Sequence, residues 1–221
     1  MPSGYVIQMR FYNFIFDLDG TLVDTFQDIY LALTAATRDL GLSIPSEETI
    51  RSNMHLRLDQ LIDLLYPGCD LNCMMDKFRE HYDSSGYQNT RLYPGVKETL
   101  HYLHSRNCQL FVTTNKRKIA AEAILSRLNI DAFFNAILSS DITHPPLGKD
   151  DLVRRILIDG SLDPSATVMV GDAQGDADAA FHNCISFIFA AYGYGKLDEK
   201  GSMQPATASV ESFRDLIKNG S

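Results

Sequence analysis

The segment Phe14-Ile15-Phe16-Asp17-Leu18-Asp19-Gly20-Thr21-Leu22 runs an apolar stretch straight into two aspartates one residue apart, then into Gly-Thr. Side chains alternate along a strand, so Asp17 and Asp19 would share a face if the strand continued. Gly20 permits a sharp turn instead, and the segment reads as a buried strand that ends by presenting two carboxylates at the edge of a sheet. Two anions that close repel each other, and burial adds to the cost. A divalent cation relieves the repulsion, and carboxylate oxygens suit magnesium. A turn with two solvated aspartates is the plainer alternative, and the rest of the chain chooses between them.

The 221 residues are 45% hydrophobic and 22% charged, an ordinary globular composition. The length suits one α/β domain with or without a smaller insert. A net charge of −8 argues against nonspecific nucleic-acid binding, which needs a Lys/Arg surplus. It leaves a phosphorylated substrate open, because a bound cation reverses the sign locally. Cys69, Cys73, Cys108 and Cys184 are few and irregularly spaced, so unpaired thiols are expected. Cys69-x-x-x-Cys73 lacks the second pair that a zinc site needs. No stretch reaches the roughly 18 apolar residues of a membrane span. Tyr5 to Phe16, interrupted by Gln8, Arg10 and Asn13, reads as a strand leading into Asp17 and not as a signal peptide. The expectation is a cytoplasmic protein that engages neither membrane nor nucleic acid; its oligomeric state is not legible.

After Leu22 the hydrophobic period changes to that of a helix. Phe26, Ile29, Leu33, Thr37 and Leu40 mark one face, with Gly41 as the stop. Ser46 reads as an N-cap with Glu47 and Glu48 in the first turn. Leu58, Leu61, Ile62 and Leu65 mark a further helix ended by Pro67-Gly68, and Asp70 caps a fourth that carries Leu71, Met74, Phe78 and Tyr82. Strands and helices then alternate. Tyr93-Pro94-Gly95 turns into a helix carrying Val96, Leu100 and Leu103, with Pro94 placed to begin it. Gln109 to Thr113 is a strand, Lys116 to Leu128 a helix, Ala136 to Leu138 a strand and Lys149 to Ile158 a helix. Thr167 to Val170 is a strand, Gln174 to His182 a helix and Ile185 to Phe189 a strand. A last helix spans Val210 to Lys218, and Gly193-Tyr194-Gly195 and Gly201-Ser202 mark loops. Such alternation predicts a Rossmann-like α/β core, a parallel sheet covered on both faces. Residues 1–22 and 89–221 are assigned to that core and 23–88 to an inserted α-helical cap.

Ligands of open α/β sheets gather beyond the carboxyl ends of the strands. Asp17 and Asp19 follow the first strand. Thr113-Thr114-Asn115 follow the second, and Lys149 follows the third after a Pro-rich loop. Gly171-Asp172 follow the fourth, with Asp176 four residues on. Each alone has a structural explanation: Thr114 as a helix cap, Lys149 as a solvated lysine, Asp172 as a turn residue. Together they gather carboxylates, hydroxyl, amide and ammonium at one sheet edge.

In this order the motifs resemble those of the haloacid dehalogenase-like hydrolase superfamily: Asp17-Leu18-Asp19-Gly20-Thr21, Thr114-Asn115, Lys149, and Gly171-Asp172-Ala173-Gln174-Gly175-Asp176. The resemblance covers nearly the whole chain. The helical insert resembles that family's cap, with hinges near 20–24 and 86–92. Asp24-Thr25 and Tyr93-Pro94-Gly95-Val96 resemble the phosphoglycolate phosphatase-like branch. The resemblance implies a Mg2+-dependent phosphatase acting on a small phosphorylated substrate. Asp17 would be the nucleophile that forms an aspartyl-phosphate, and Asp19 the acid for the leaving oxygen and then the base for water. Thr114, Asn115 and Lys149 would hold phosphate oxygens. Mg2+ would be held by Asp17, the backbone carbonyl of Asp19 and Asp172, with Asp176 supporting the metal shell directly or through hydrogen bonds. Thr113 rivals Thr114; the resemblance favours Thr114, because the family's hydroxyl usually sits just before such an asparagine. Lys149 is followed by Asp150 where the family often has proline; Asp150 could pair with Lys149 or cap the helix. The cap loop Ser52-Asn53-Met54-His55-Leu56-Arg57 lacks the usual glycine, and His55 and Arg57 are the candidate specificity residues, with solvated positions at a helix start as the plainer reading.

Four rival readings remain to be weighed, and one of them, a sugar phosphomutase, shares all four motifs. Asp19 disfavours a dehalogenase, whose relatives do without a second aspartate as acid. The absence of histidine after Asp24-Thr25 disfavours a sugar phosphomutase. A pyrophosphatase or nucleotidase stays open. A non-catalytic binding protein on the same fold is disfavoured because Asp17 and Asp19 are both present.

Overall fold

Strand β1 (Asn13–Phe16) is buried at every residue, as befits a central parallel strand covered on both faces. The chain then runs through β2 (Val23–Asp24), α1 (Phe26–Asp39), α2 (Glu47–Arg51), α3 (Leu58–Leu65), α4 (Leu71–Ser84) and β3 (Arg91–Leu92). Alternation resumes with α5 (Val96–Ser105), β4 (Gln109–Thr114), α6 (Lys118–Arg127), β5 (Ala136–Ser139) and α7 (Lys149–Asp159). It ends with β6 (Thr167–Gly171), α8 (Gln174–His182), β7 (Ser186–Ala190) and β8 (Ala208–Val210). The computed structural model describes residues 10–197 and 206–217. These form two compact units, one of residues 10–23, 92–197 and 206–217, the other of 24–91.

The first unit is built on six parallel strands in the order β5-β4-β1-β6-β7-β8. Chain order reverses at β1, with β4 and β5 on one side and β6 to β8 on the other. That reversal is the topological switch point at which Rossmann-like sheets open a crevice beyond their carboxyl ends. Phe16 is in register with Val112 of β4 and Val170 of β6, so the residues after all three strands emerge at one level. Alternation separates the two faces. Ile15, Phe111 and Met169 join Val153 and Ile156 of α7 and Ala179 and Ala180 of α8 in one core. Phe16 packs its ring 5.4 Å from Phe213 and 6.5 Å from Phe134 in another.

Where the sequence pattern predicts a last helix over Val210 to Lys218, the structure instead has strand β8 beside β7 and one 3₁₀ turn, Phe213–Leu216. Phe213 and Leu216 are both fully buried, and residues three apart eclipse in a 3₁₀ turn, so a single turn seats both. Lys218, Gly201-Ser202 and residues 5–9 lie outside the described residues. Pro94 does not begin a helix; Gly95, at φ +86°, is the residue before α5. Helix α6 begins at Lys118, which leaves Lys116 in the preceding loop.

In the second unit α1 packs on α4, burying Leu33, Met74, Phe78 and Tyr82. Ser46 and Asp70 cap α2 and α4 by accepting from the N–H groups of Thr49 and Cys73, each at 3.1 Å, the bonds their residue types predict. Asp28 of α1 is buried, and its carboxylate accepts from the backbone and side chains of Asn89 and Thr90 at 2.7–3.2 Å. A buried carboxylate needs that many donors, so α1 holds the return segment of the chain. All four cysteines are free. No described helix is long and apolar enough to cross a membrane.

Candidate active site

Strand β1 hands its pairing on to Asp17, whose N–H donates to the Val170 carbonyl at 2.9 Å. The chain then turns back, with the Leu22 and Val23 N–H groups both donating to the Leu18 carbonyl at 2.9 and 3.0 Å. Gly20 sits in this turn at φ +81°, and a Cβ there would lie 2.2 Å from Asp172 Oδ2. Glycine is required both by its backbone conformation and by the close approach of that carboxylate. Beyond β6, Asp172 accepts from the N–H groups of Tyr194 and Gly195 at 2.8 and 3.0 Å. Asp176, in the first turn of α8, accepts from the Ala173 N–H at 3.0 Å. A carboxylate there is favoured by the positive end of the helix dipole.

Carboxylate oxygens of Asp17, Asp172 and Asp176 all lie within 4.8 Å of one another, and the three residues are buried. Lys149, the first residue of α7, reaches Asp17 Oδ1 at 2.7 Å and Asp176 Oδ1 at 2.6 Å. Burial raises the proton affinity of Asp17 well above the carboxylate range; Lys149 opposes the rise, and Asp176 and Asp172 add to it. Asp172 is pushed up to about 6 by burial and then by Asp176, against the N–H groups of Gly195 and Tyr194 and the charge of Lys149. Burial by itself would lower Lys149, but Asp17 and Asp176 more than offset it and hold the ammonium above its ordinary range.

If all three buried carboxylates ionise, the one ammonium leaves two negative charges uncompensated within the group. A hard divalent cation fits that oxygen donor set and that charge. Asp172 keeps its proton up to about 6 in the folded state, against about 3.9 in an unfolded chain. Protons therefore favour the folded state across that window, and stability falls as pH rises through it. The metal-free protein is expected to melt at a higher temperature near about pH 5.5 than near about pH 7.5, and saturating Mg2+ should remove the difference. Melting curves with chelator and with Mg2+ check this; a flat metal-free profile would contradict the uncompensated charge.

The other residues singled out from the sequence are distributed as follows. The Asp19 carboxylate stands outside the group of three and pairs with Lys116 Nζ at 3.1 Å; its expected metal ligand is a backbone carbonyl. Thr114 ends β4, is buried, and accepts from the Lys116 N–H at 3.1 Å. The hydroxyl of its rival Thr113 is buried without a partner. Asn115 is exposed, and its carbonyl accepts from the Ser140 hydroxyl at 3.2 Å. Asp150 neither pairs with Lys149 nor caps α7: Gly148 holds the cap position, and Asp150 meets His182 Nδ1 at 2.5 Å. His55 and Arg57 belong to the second unit. Both are exposed, and Arg57 pairs with Asp59 at 3.2 Å beside the start of α3. Two features escaped sequence reasoning. Lys116, only 9% exposed at its side chain, directly follows Thr114-Asn115 and was absorbed into the predicted helix. In the sequence pattern Tyr194 and Gly195 mark only a loop.

The haloacid dehalogenase-like hydrolase family matches residues 14–190. The chain belongs to that family. It is 32% identical to a phosphoglycolate phosphatase from Vibrio parahaemolyticus over 92% of this chain and 93% of that one. It is 27% identical to a 5'-nucleotidase from Pseudomonas aeruginosa, over 96% and 97%. A haloacid dehalogenase-like family hydrolase from Streptococcus pneumoniae superposes with a TM-score of 0.81 at 25% identity, over 91% of this chain and 94% of that one. Within the family the chain falls on the phosphoglycolate phosphatase-like branch and is a phosphoric monoester hydrolase by class.

Proposed function

We propose that this enzyme is a Mg2+-dependent phosphatase for a small phosphate monoester and works through an aspartyl-phosphate on Asp17. The observation that carries the reading is the group of Asp17, Asp172 and Asp176 bridged by Lys149 at 2.7 and 2.6 Å. An Asp17 carboxylate oxygen attacks phosphorus, and the bond to the leaving alkoxide oxygen breaks as Asp19 delivers its proton. Asp19 then takes a proton from water, which attacks phosphorus and displaces the Asp17 carboxylate. Lys149, Thr114 and Asn115 hold the phosphate oxygens against the negative charge of the nucleophile. Asp17, the Asp19 carbonyl, Asp172 and Asp176 would hold Mg2+, which supplies charge neutralisation between the phosphate and the attacking carboxylate. Residues 23–88 serve as the cap, with His55 and Arg57 as its specificity residues.

The test is phosphate release from a panel headed by 2-phosphoglycolate and nucleoside 5'-monophosphates, the substrates that the relatives' names suggest. Sugar phosphates, p-nitrophenyl phosphate and pyrophosphate complete it, each with Mg2+ and with chelator. Release from one small monoester, lost on chelation, is the expected result. No release from a folded, Mg2+-bound protein would overturn it, and phosphoryl transfer between sugar phosphates would then be assayed.

A further inference from the structure

The loop after β7 closes on the site from a direction the catalytic motifs do not explain. Its Tyr194 and Gly195 N–H groups both donate to Asp172 Oδ2, at 2.8 and 3.0 Å. The Thr21 hydroxyl lies 3.4 Å from the other oxygen, Oδ1. One carboxylate oxygen is thus held by two backbone donors, while Oδ1 keeps lone pairs for a further ligand. The same loop reaches the turn after β1: the Tyr192 hydroxyl donates to the Thr21 carbonyl at 2.8 Å, and the Tyr192 ring packs 4.9 Å from that of Tyr93. The fit leaves no room for side chains at its two glycines. A Cβ on Gly193 would lie 2.3 Å from Asp172 Cβ and 2.4 Å from the Gly20 carbonyl oxygen, and one on Gly195 would lie 2.0 Å from the Asp172 carbonyl oxygen. Neither glycine has a positive φ, so it is close approach and not backbone freedom that excludes a side chain here.

We infer that residues 192–195 are a positioning element for the metal. Tyr194 and Gly195 orient the Asp172 carboxylate through their N–H groups, and Tyr192 ties the loop to the Gly20-Thr21 turn. This rests on the reading of Asp172 as a Mg2+ ligand. Groups that fix the orientation of a ligating carboxylate govern metal affinity even though they do not touch the metal.

Isothermal titration of Mg2+ into the purified protein tests this without reference to turnover. Tyr192→Phe removes one hydroxyl and keeps the ring against Tyr93. It is expected to weaken Mg2+ binding about 3- to 10-fold, with the metal-free melting temperature unchanged and kcat recovered at saturating Mg2+. Gly195→Ala displaces the donors themselves and should weaken binding about 10- to 100-fold; if it does not fold, Tyr192→Phe decides. Wild-type protein that binds no Mg2+ would overturn the metal reading itself. Wild-type protein that binds Mg2+, with variants matching it within about twofold, would overturn only the positioning role. A Tyr192→Phe melting temperature that falls in step with its affinity would mark Tyr192 as structural and would equally overturn that role.

Discussion

Asp17→Asn is expected to reduce turnover of every substrate by at least about 10⁴-fold, the scale of removing a covalent nucleophile. The amide cannot form the acyl phosphate, yet it has the shape of the carboxylate and reaches the same neighbours. Burial already pushes the Asp17 carboxyl toward its neutral form, so a neutral replacement should melt no lower than wild type without metal. That separates lost chemistry from lost fold. Acid-quenched wild-type enzyme given labelled substrate should carry label on Asp17, and the variant should carry none. Activity above about one per cent in the variant, or label on another residue, would remove Asp17 from the nucleophile's role.

Lys149→Met should be the most damaging change to stability and should impair activity as well. The ammonium that touches Asp17 and Asp176 is 9% exposed, and those carboxylates are 10% and 0% exposed. Methionine fills the stem but leaves buried acids without their cation, which typically costs about 3–5 kcal/mol. For a chain of this size that is a fall of roughly 10 °C in melting temperature. Turnover should drop about 10²- to 10³-fold, because the donor proposed to hold the phosphate oxygens is lost. Both lower pH and high Mg2+ should recover part of the stability, since each reduces the uncompensated negative charge. A variant that melts within about one degree of wild type would refute the charge balance described for the site.

The strand ends were legible because each motif is local. Asp17 and Asp172 each follow an apolar strand, and Asp176 sits in the first turn of a helix whose limits, Gln174 to His182, the pattern reproduces. Lys149 was found by its position after the third strand, and the structure joins it to Asp17 across 132 residues of chain. The helical pattern extends two residues too far and hides Lys116; with α6 starting at Lys118, its ammonium reaches Asp19. The sequence predicts a last helix because Val210, Phe213 and Leu216 have helical spacing, although the first pairs in a strand and the other two share one 3₁₀ turn.

Hydrophobic period and residue chemistry at strand ends were enough to establish the parallel sheet, the helical insert and the carboxylate motifs, since both depend on near neighbours in the chain. They could not reveal how those carboxylates are charged and held. The proton affinities of Asp17 and Asp172, the double contact of Lys149, and the grip of Tyr194 and Gly195 on Asp172 arise from burial and from groups brought together by the order β4-β1-β6-β7. Desolvation and charge act through space, so only the packed sheet specifies them.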